Sequence, residues 1–297
     1  MKIKKIPPDK FEKNYQKAIQ WSNSKHKIYN ECKRKFLYKY LLILTPPHQK
    51  QKVDELKKLT TLSNWQGELI HRYINILSVI KSIDKTIEMF TREYQNVLKN
   101  PSQKILEAYY VIPYTKYQIQ QIYNTCILSL KNFWFYYQQN ISNQSIICQD
   151  LHGTKTFNFE GITIMYRPDI VTQTQQEIKI YEFKTYKNTV DLNQILLYYL
   201  VFSSSYDKSV RSFVVNLYPT IEQSEIVIAN HQIEQYTQLI KESYNQIKTF
   251  LDELRIFTQQ ENENLFELIL EKFEKTRDKN LCTKCEFREL CFGKSNS

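Results

Sequence analysis

Three ionisable side chains near the middle of the chain stand where strands are expected. Asp169 ends the step Tyr166-Arg-Pro-Asp169, and Glu182 and Lys184 flank an aromatic residue in Glu182-Phe-Lys184. Side chains alternate along a strand, so Glu182 and Lys184 point one way while Tyr181 and Phe183 point the other. A hairpin pairing the strand that ends at Asp169 with the strand of Glu182 brings the two carboxylates together. Two carboxylates converging with a backbone carbonyl make an oxygen-rich site for a hard divalent cation, magnesium or manganese. Such an ion lowers the pKa of its bound water and clamps phosphate oxygens. Lys184 beside it can orient an attacking water or offset charge that builds on a phosphate. The set suits in-line hydrolysis of a phosphodiester, although a Glu-x-Lys strand alone is more often a surface ion pair.

The next helix adds to the pattern. Asp191-Leu-Asn-Gln-Ile-Leu-Leu-Tyr-Tyr-Leu is apolar nearly all round, so it should be buried, and it sets Gln194 and Tyr198 on one face. Hydrogen-bonding side chains on a buried face need partners. Bound DNA or the catalytic carboxylates would serve.

A second group lies at the end of the chain. Cys282, Cys285 and Cys291 place three thiols within ten residues, one short of a four-thiolate site for zinc or an iron–sulfur cluster. Cys32 is the candidate for the fourth. Free reduced cysteines are the plainer alternative, and Cys126 and Cys148 are expected to be ordinary buried residues.

These groups need elements to hold them. Apolar periodicity predicts helices over 10–20, 25–42, 63–82, 84–98, 102–111 and 116–139. In the second of these, Ile28, Cys32, Phe36 and Tyr40 recur every four residues as one core-facing ridge. Thr45-Pro-Pro-His-Gln breaks that helix and begins a polar connection. The third carries His71 at the edge of an Ile70, Ile74 and Leu77 stripe, a place where a histidine is usually structural. The run Phe133–Tyr137 reads as core packing, with a base-stacking platform as the alternative. From 145 onward β-branched runs predict strands near 146–151, 154–160, 162–171, 177–184, 210–218 and 223–229, interrupted by a helix over 189–204. Helices over 231–257 and 263–276 precede the cysteine tail. The expected fold class is α/β, a central mixed β-sheet flanked by helices. A single domain is expected over 1–297, with a helical part (1–144), a sheet with the chemistry (145–230), and helices with a cysteine-rich tail (231–297).

The formal charge of +10 is concentrated at the N-terminal end. Residues 1–60 hold 16 Lys+Arg against 5 Asp+Glu, while the remainder holds 25 against 26. This footprint suits a polyanion such as nucleic acid, or simply a solubilising basic face. No apolar run approaches the roughly 18–20 residues that span a bilayer, and the opening lacks the apolar middle of a signal peptide. A soluble, cytoplasmic protein with reduced cysteines is expected. No Gly-x4-Gly-Lys-Ser/Thr loop is present, so any unwinding of a duplex belongs to another chain.

Taken together, Asp169, Glu182-Phe-Lys184 and Gln194-x3-Tyr198 resemble the PD-(D/E)XK nuclease motif followed by the Gln-x3-Tyr signature of RecB-like nucleases. His71 in Gly67-Glu-Leu-Ile-His71 resembles the upstream motif in which a helical histidine contributes to the metal site. Asn30-Glu-Cys32-Lys-Arg-Lys-Phe-Leu-Tyr resembles the opening helix of that family, with Lys33 where proline is frequent. The cysteines are similar in arrangement to those of AddB-type iron–sulfur nucleases and CRISPR-associated RecB-like exonucleases. The resemblance implies a restriction-endonuclease-like sheet and a [4Fe–4S] cluster held by Cys32, Cys282, Cys285 and Cys291 as a clasp, with zinc as the alternative. It implies magnesium or manganese on Asp169 and Glu182 with His71 assisting, Lys184 orienting the nucleophile, and Gln194 and Tyr198 positioning substrate. The implied activity is that of a DNA nuclease, an exonuclease on single-stranded DNA or DNA ends. It would serve repair, recombination or CRISPR adaptation, with a helicase or integrase-type partner. Two rivals stand beside it: a catalytically silent DNA-binding scaffold subunit, and a zinc-stapled RNA-binding protein.

Overall fold

The structure is a computed structural model and describes residues 6–150, 153–185, 190–259 and 264–293. In chain order it runs α1 (Pro8–Ile19), α2 (Asn23–Glu31), α3 (Lys33–Tyr40), α4 (Pro47–Leu56), α5 (Leu62–Ile80), α6 (Ile83–Lys99), α7 (Leu106–Tyr109) and α8 (Lys116–Asn140). There follow β1 (Ser145–Gln149), β2 (Lys155–Phe159), β3 (Ile162–Tyr166), β4 (Ile170–Gln173), β5 (Glu177–Lys184), α9 (Leu192–Ser205), β6 (Ser209–Asn216) and β7 (Glu222–Ile226). The chain finishes with α10 (Asn230–Gln259), α11 (Leu265–Lys272), α12 (Lys279–Thr283) and α13 (Arg288–Phe292). A five-stranded mixed sheet has the order β1-β4-β5-β6-β7, and β2 and β3 form a two-stranded one. The mixed sheet flanked by helices is the predicted fold class. The predicted limits at 151, 189 and 263 lie outside the described residues.

The chain divides into two compact units. The first comprises 1–59, 158–165 and 237–297, and the second 60–157 and 166–236.

The second unit contains the five-stranded sheet. Its β5 and β6 run parallel, with Glu182 opposite Val214, so α9 is the crossover that parallel neighbours require. Every other pair in the sheet is antiparallel. α9 has a low-polarity sequence and buries Ile195, Leu196, Leu197, Tyr198, Leu200, Val201 and Phe202, while the Asp191 side chain accepts the Asn193 N–H as its N-cap. α8 starts in a capping box between Thr115 and Gln118 and packs Phe133 against Phe183 with ring centroids 5.0 Å apart. Phe133, Tyr136 and Tyr137 are core residues, as expected, whereas Phe135 of the same run is exposed. Cys126 and Cys148 are buried free thiols, also as expected.

The predicted strand over 162–171 is two strands. Arg167, Pro168 and Asp169 interrupt it, because a proline cannot donate to a ladder and its predecessor is held extended. Asp169 therefore stands just before β4 rather than at the end of a continuous strand.

The first unit departs from expectation at Cys32. The predicted continuous helix over 25–42 is broken there, since Cys32 is extended (φ −163°, ψ 105°) and caps both α2 and α3. Its sulfur accepts the Lys35 N–H at 3.4 Å, so the thiol does an N-cap's work instead of lying on a ridge. The segment after Thr45, predicted as a polar connection, contains α4, which begins on Pro47, a position that tolerates proline because its missing N–H would be unpaired anyway. Trp21 pairs with β3 inside this unit: its N–H donates to the Thr163 carbonyl at 2.8 Å, and its carbonyl accepts the Met165 N–H at 2.7 Å. The turn from Asn158 to Gly161 needs glycine at its end, where φ is +84°. Lys25 is buried, and its ammonium donates to the carbonyls of Lys17 and of Gln20 (2.8 Å).

Candidate active site

β5 carries the alternation the sequence predicts. Tyr181 and Phe183 face the core, Tyr181 stacking on Phe213 at 5.5 Å and Phe183 meeting Phe133 and Tyr136 edge to face. Glu182 and Lys184 face the other way. Glu182 is only 1% exposed, and its Oε1 accepts from Lys184 Nζ at 2.7 Å. Antiparallel register sets Ile170 opposite Tyr181, which puts Asp169 at the level of the Glu182–Phe183 peptide. Asp169 Oδ2 accepts the Phe183 N–H at 2.8 Å, and Asp169 Oδ1 lies 2.8 Å from His71 Nδ1 on α5.

α9 completes the cluster from the other side. Lys184 Nζ is 3.5 Å from Gln194 Oε1, Gln194 Nε2 donates to the Tyr198 hydroxyl at 2.9 Å, and that hydroxyl donates to the Arg167 carbonyl at 2.7 Å. The six predicted residues thus form two adjoining groups, His71 with Asp169 and Glu182 with Lys184, Gln194 and Tyr198, which meet where Asp169 accepts the Phe183 N–H. Tyr198 is buried with its hydroxyl committed to the backbone of the Arg-Pro-Asp step, so it acts on that step.

The network sets the charges. Burial raises the Asp169 carboxyl, but the His71 imidazole, its hydrogen bond and the Phe183 N–H outweigh this and hold Asp169 below the usual value. Burial lowers the His71 imidazole, and the Asp169 charge and hydrogen bond reverse that and raise it. Burial and then the Asp169 charge push Glu182 up to about 7, only partly offset by Lys184 and His71. Lys184 loses to burial and gains more from Glu182, and so is raised. Glu182 Oε2 is buried and has no hydrogen-bond partner. An orphaned carboxylate oxygen next to a second carboxylate is what a hard divalent cation neutralises. Among the described residues no three His, Cys, Asp or Glu side chains already converge as a ligand set, because His71 and Asp169 bond each other and Glu182 bonds Lys184. The donor types nevertheless fit: two carboxylates and one imidazole suit magnesium or manganese and not a soft metal.

Sequence reading missed the ring of groups behind His71. Asn75, one turn along α5, donates through Nδ2 to the His71 carbonyl (2.8 Å) and to Asp150 Oδ2 (3.2 Å). Gln149 Nε2 donates to Asn75 Oδ1 at 3.0 Å and to the Ser78 hydroxyl. Asp150 also pairs with the Arg167 side chain, and its N–H donates to the Asp169 carbonyl at 3.2 Å. The four-residue step from His71 to Asn75 was the available signal, since it puts both on one helix face.

In the first unit Cys32, Cys282, Cys285 and Cys291 line one cavity together with Arg34, Tyr38 and Phe287. All four are free thiols. The tail is fastened beside Cys32 by ion pairs Lys35–Glu286 (2.8 Å) and Lys52–Glu289 (2.9 Å), and by Phe287 against Tyr38 at 5.4 Å. Burial pushes Cys285 up to about 12 and Cys291 up to about 11, and neighbouring thiols add to the rise at Cys282 and Cys291. The protonated thiols must therefore lose protons on binding a metal. Four soft donors around one cavity fit a thiolate-held centre, zinc or iron–sulfur.

A profile of the PD-(D/E)XK nuclease superfamily matches residues 20–292. No curated protein matches the chain. Among solved structures, that of SSO0001 is 15% identical and aligns over 63% of this chain and 79% of its own, with a TM-score of 0.28, too low to bear on the fold. No helix among the described residues is long and apolar enough to cross a membrane.

Proposed function

The chain belongs to the PD-(D/E)XK nuclease superfamily, and from that premise we propose that it is a metal-dependent deoxyribonuclease, an exonuclease acting on single-stranded DNA or DNA ends. The observation that carries the reading is the buried cluster of Asp169, Glu182, Lys184 and His71 with Glu182 Oε2 left unpaired. When bound, magnesium or manganese on Asp169 and Glu182, with His71 assisting, supplies a water of lowered pKa and neutralises phosphate charge. Lys184, held by Glu182 and Gln194, keeps an ammonium beside the reacting phosphate to orient the nucleophile and stabilise the charge that develops. His71 keeps Asp169 ionised and aimed. Gln194 and Tyr198 position substrate indirectly, by fixing Lys184 and the Arg167 backbone.

The four cysteines we assign to a [4Fe–4S] cluster. The support is that all four line one cavity as soft donors, in an arrangement similar to that of AddB-type iron–sulfur nucleases. Equal iron and acid-labile sulfide after anaerobic purification supports the cluster, and colourless protein with stoichiometric zinc excludes it. A cytoplasmic place in repair, recombination or CRISPR adaptation, beside a helicase or integrase-type protein, completes the proposal.

End-labelled single- and double-stranded DNA incubated with magnesium or manganese tests activity and polarity together. Glu182→Ala and Lys184→Ala should each lower cleavage by about 100-fold or more with thermal unfolding still cooperative. Retained cleavage by either variant rejects the assignment.

A further inference from the structure

The polar contacts of the site, hydrogen bonds on one side and an ion pair on the other, meet at a residue that none of the motifs assigns, Arg167. Its backbone is reached from Lys184 through Gln194 and Tyr198, whose hydroxyl donates to the Arg167 carbonyl at 2.7 Å. Its side chain is reached from α5 through Asn75 and Asp150, and Asp150 in turn donates its N–H to the Asp169 carbonyl. Both ends of the residue are therefore tied to groups one step from the carboxylates. The side chains behind it are enclosed, with Asp150 13%, Lys184 15% and Glu182 1% exposed, whereas Arg167 is 57% exposed.

Stability does not explain this arrangement. The enclosed Asp150 carboxylate gains a cationic partner, but the arginine end of the pair is open to water, where an ion pair contributes little. The Arg167 Nε lies against Asp150, and more than half of the arginine side chain remains exposed. A guanidinium so held presents a preset fork of donors, which matches phosphate oxygens. Electrostatics favours such a group, because Asp150, Asp169 and Glu182 repel an entering phosphodiester and Arg167 adds to the positive charge of Lys184.

We propose that Arg167 binds a phosphate of the polynucleotide substrate, and that Asp150 is the positioning residue that aims it. This rests on the reading of the chain as a nuclease.

The test uses full-length protein and a fluorescein-labelled single-stranded oligonucleotide, with binding followed by anisotropy over a KCl series without added divalent metal. Arg167→Ala should weaken binding by about tenfold, the loss of one charge-assisted hydrogen-bonded contact. It should also shrink the slope of log K against log salt by about 0.7, one phosphate contact on a single strand. Arg167→Lys should restore the slope and not the full affinity, since it keeps the charge and loses the fork. Asp150→Asn keeps the arginine's charge, so its salt slope should stay at the wild-type value while kcat for manganese-dependent cleavage falls several-fold. Arg167→Gln, a longer neutral replacement, should repeat the alanine result if packing is not the cause. Wild-type affinity and slope in Arg167→Ala overturn the proposal while leaving the nuclease reading intact. A wild-type protein that neither binds nor cleaves DNA overturns both.

Discussion

His71 and Asp169 lie 98 residues apart in the chain, and their side chains meet at 2.8 Å in the second unit. The bond joins a long helix to the start of a short strand. It also divides the labour between two carboxylates of one site: Asp169 is held ionised by its neighbours, while Glu182 is pushed up to about 7. A pair of carboxyls whose environments separate them in this way can take different roles in one reaction.

Removing the imidazole tests this division. His71→Ala leaves a buried Asp169 without its strongest partner, and because His71 is itself about a third exposed the expected cost is about 1–2 kcal/mol. Metal-dependent cleavage should fall by roughly 10–100-fold, as with other groups that orient a metal ligand. Urea denaturation and single-turnover cleavage measure the two effects. A variant with wild-type activity would show that the bond is structural only.

Asn75 supports the site from behind, through the His71 carbonyl and Asp150. Asn75→Ala strands one enclosed Asp150 oxygen and leaves the Gln149 amide with the Ser78 hydroxyl, for an expected loss of about 1–2 kcal/mol in chemical denaturation. Asn75→Asp keeps one acceptor but sets a carboxylate against Asp150, and should be no better.

For the cysteine cavity, Cys32→Ala should abolish the bound metal and lower the unfolding temperature of the first unit as far as prolonged chelation lowers that of wild type. Cys126→Ala removes a thiol from the apolar core of the second unit and should leave the metal content unchanged, at a cost of about 1 kcal/mol for the small cavity. Metal analysis with calorimetry separates the two outcomes.

Lys25 gives a pH signature. Burial lowers its ammonium from the ordinary value to about 8. Between pH 8 and the ordinary lysine value the unfolded chain then holds the extra proton, so this residue's contribution makes stability rise with pH across that window. Below pH 8 both states carry the proton and the penalty is full and constant. Lys25→Met removes the term, so the stability difference between variant and wild type should change by about 1–3 kcal/mol between pH 7.5 and 10.5. The carbonyls of Lys17 and Gln20 favour the charged form and set that figure as an upper bound. A flat difference across the window would remove burial as the governing effect.

Much of the site could be read from residue order because its parts obey simple periods. Alternation on β5 separated Glu182 and Lys184 from Tyr181 and Phe183, and a four-residue helical step put Gln194 beside Tyr198. The same rule misled at Cys32, where a four-residue ridge from Ile28 to Tyr40 implied one helix. Helical spacing cannot reveal that one residue will end α2 through its backbone N–H and cap α3 through its thiol. Arg167 and Asp150 were hidden for another reason. Their partners come from α5, α9 and the start of β4, and tertiary convergence of that kind leaves no local period. The pairing of Trp21 with β3 is equally non-local, and it is why a short piece from the middle of the chain belongs to the first unit.

The composition of that first unit has a consequence for how the protein is made. Its cavity needs both Cys32 and Cys282 to Cys291, which emerge from the ribosome long after it. The second unit is drawn wholly from the stretch between them and can fold while the ribosome is still working. Chains terminated before Cys282 would carry every residue of the cutting cluster yet have no complete pocket to load. Filling of the cysteine pocket thus reports that synthesis has passed Cys291.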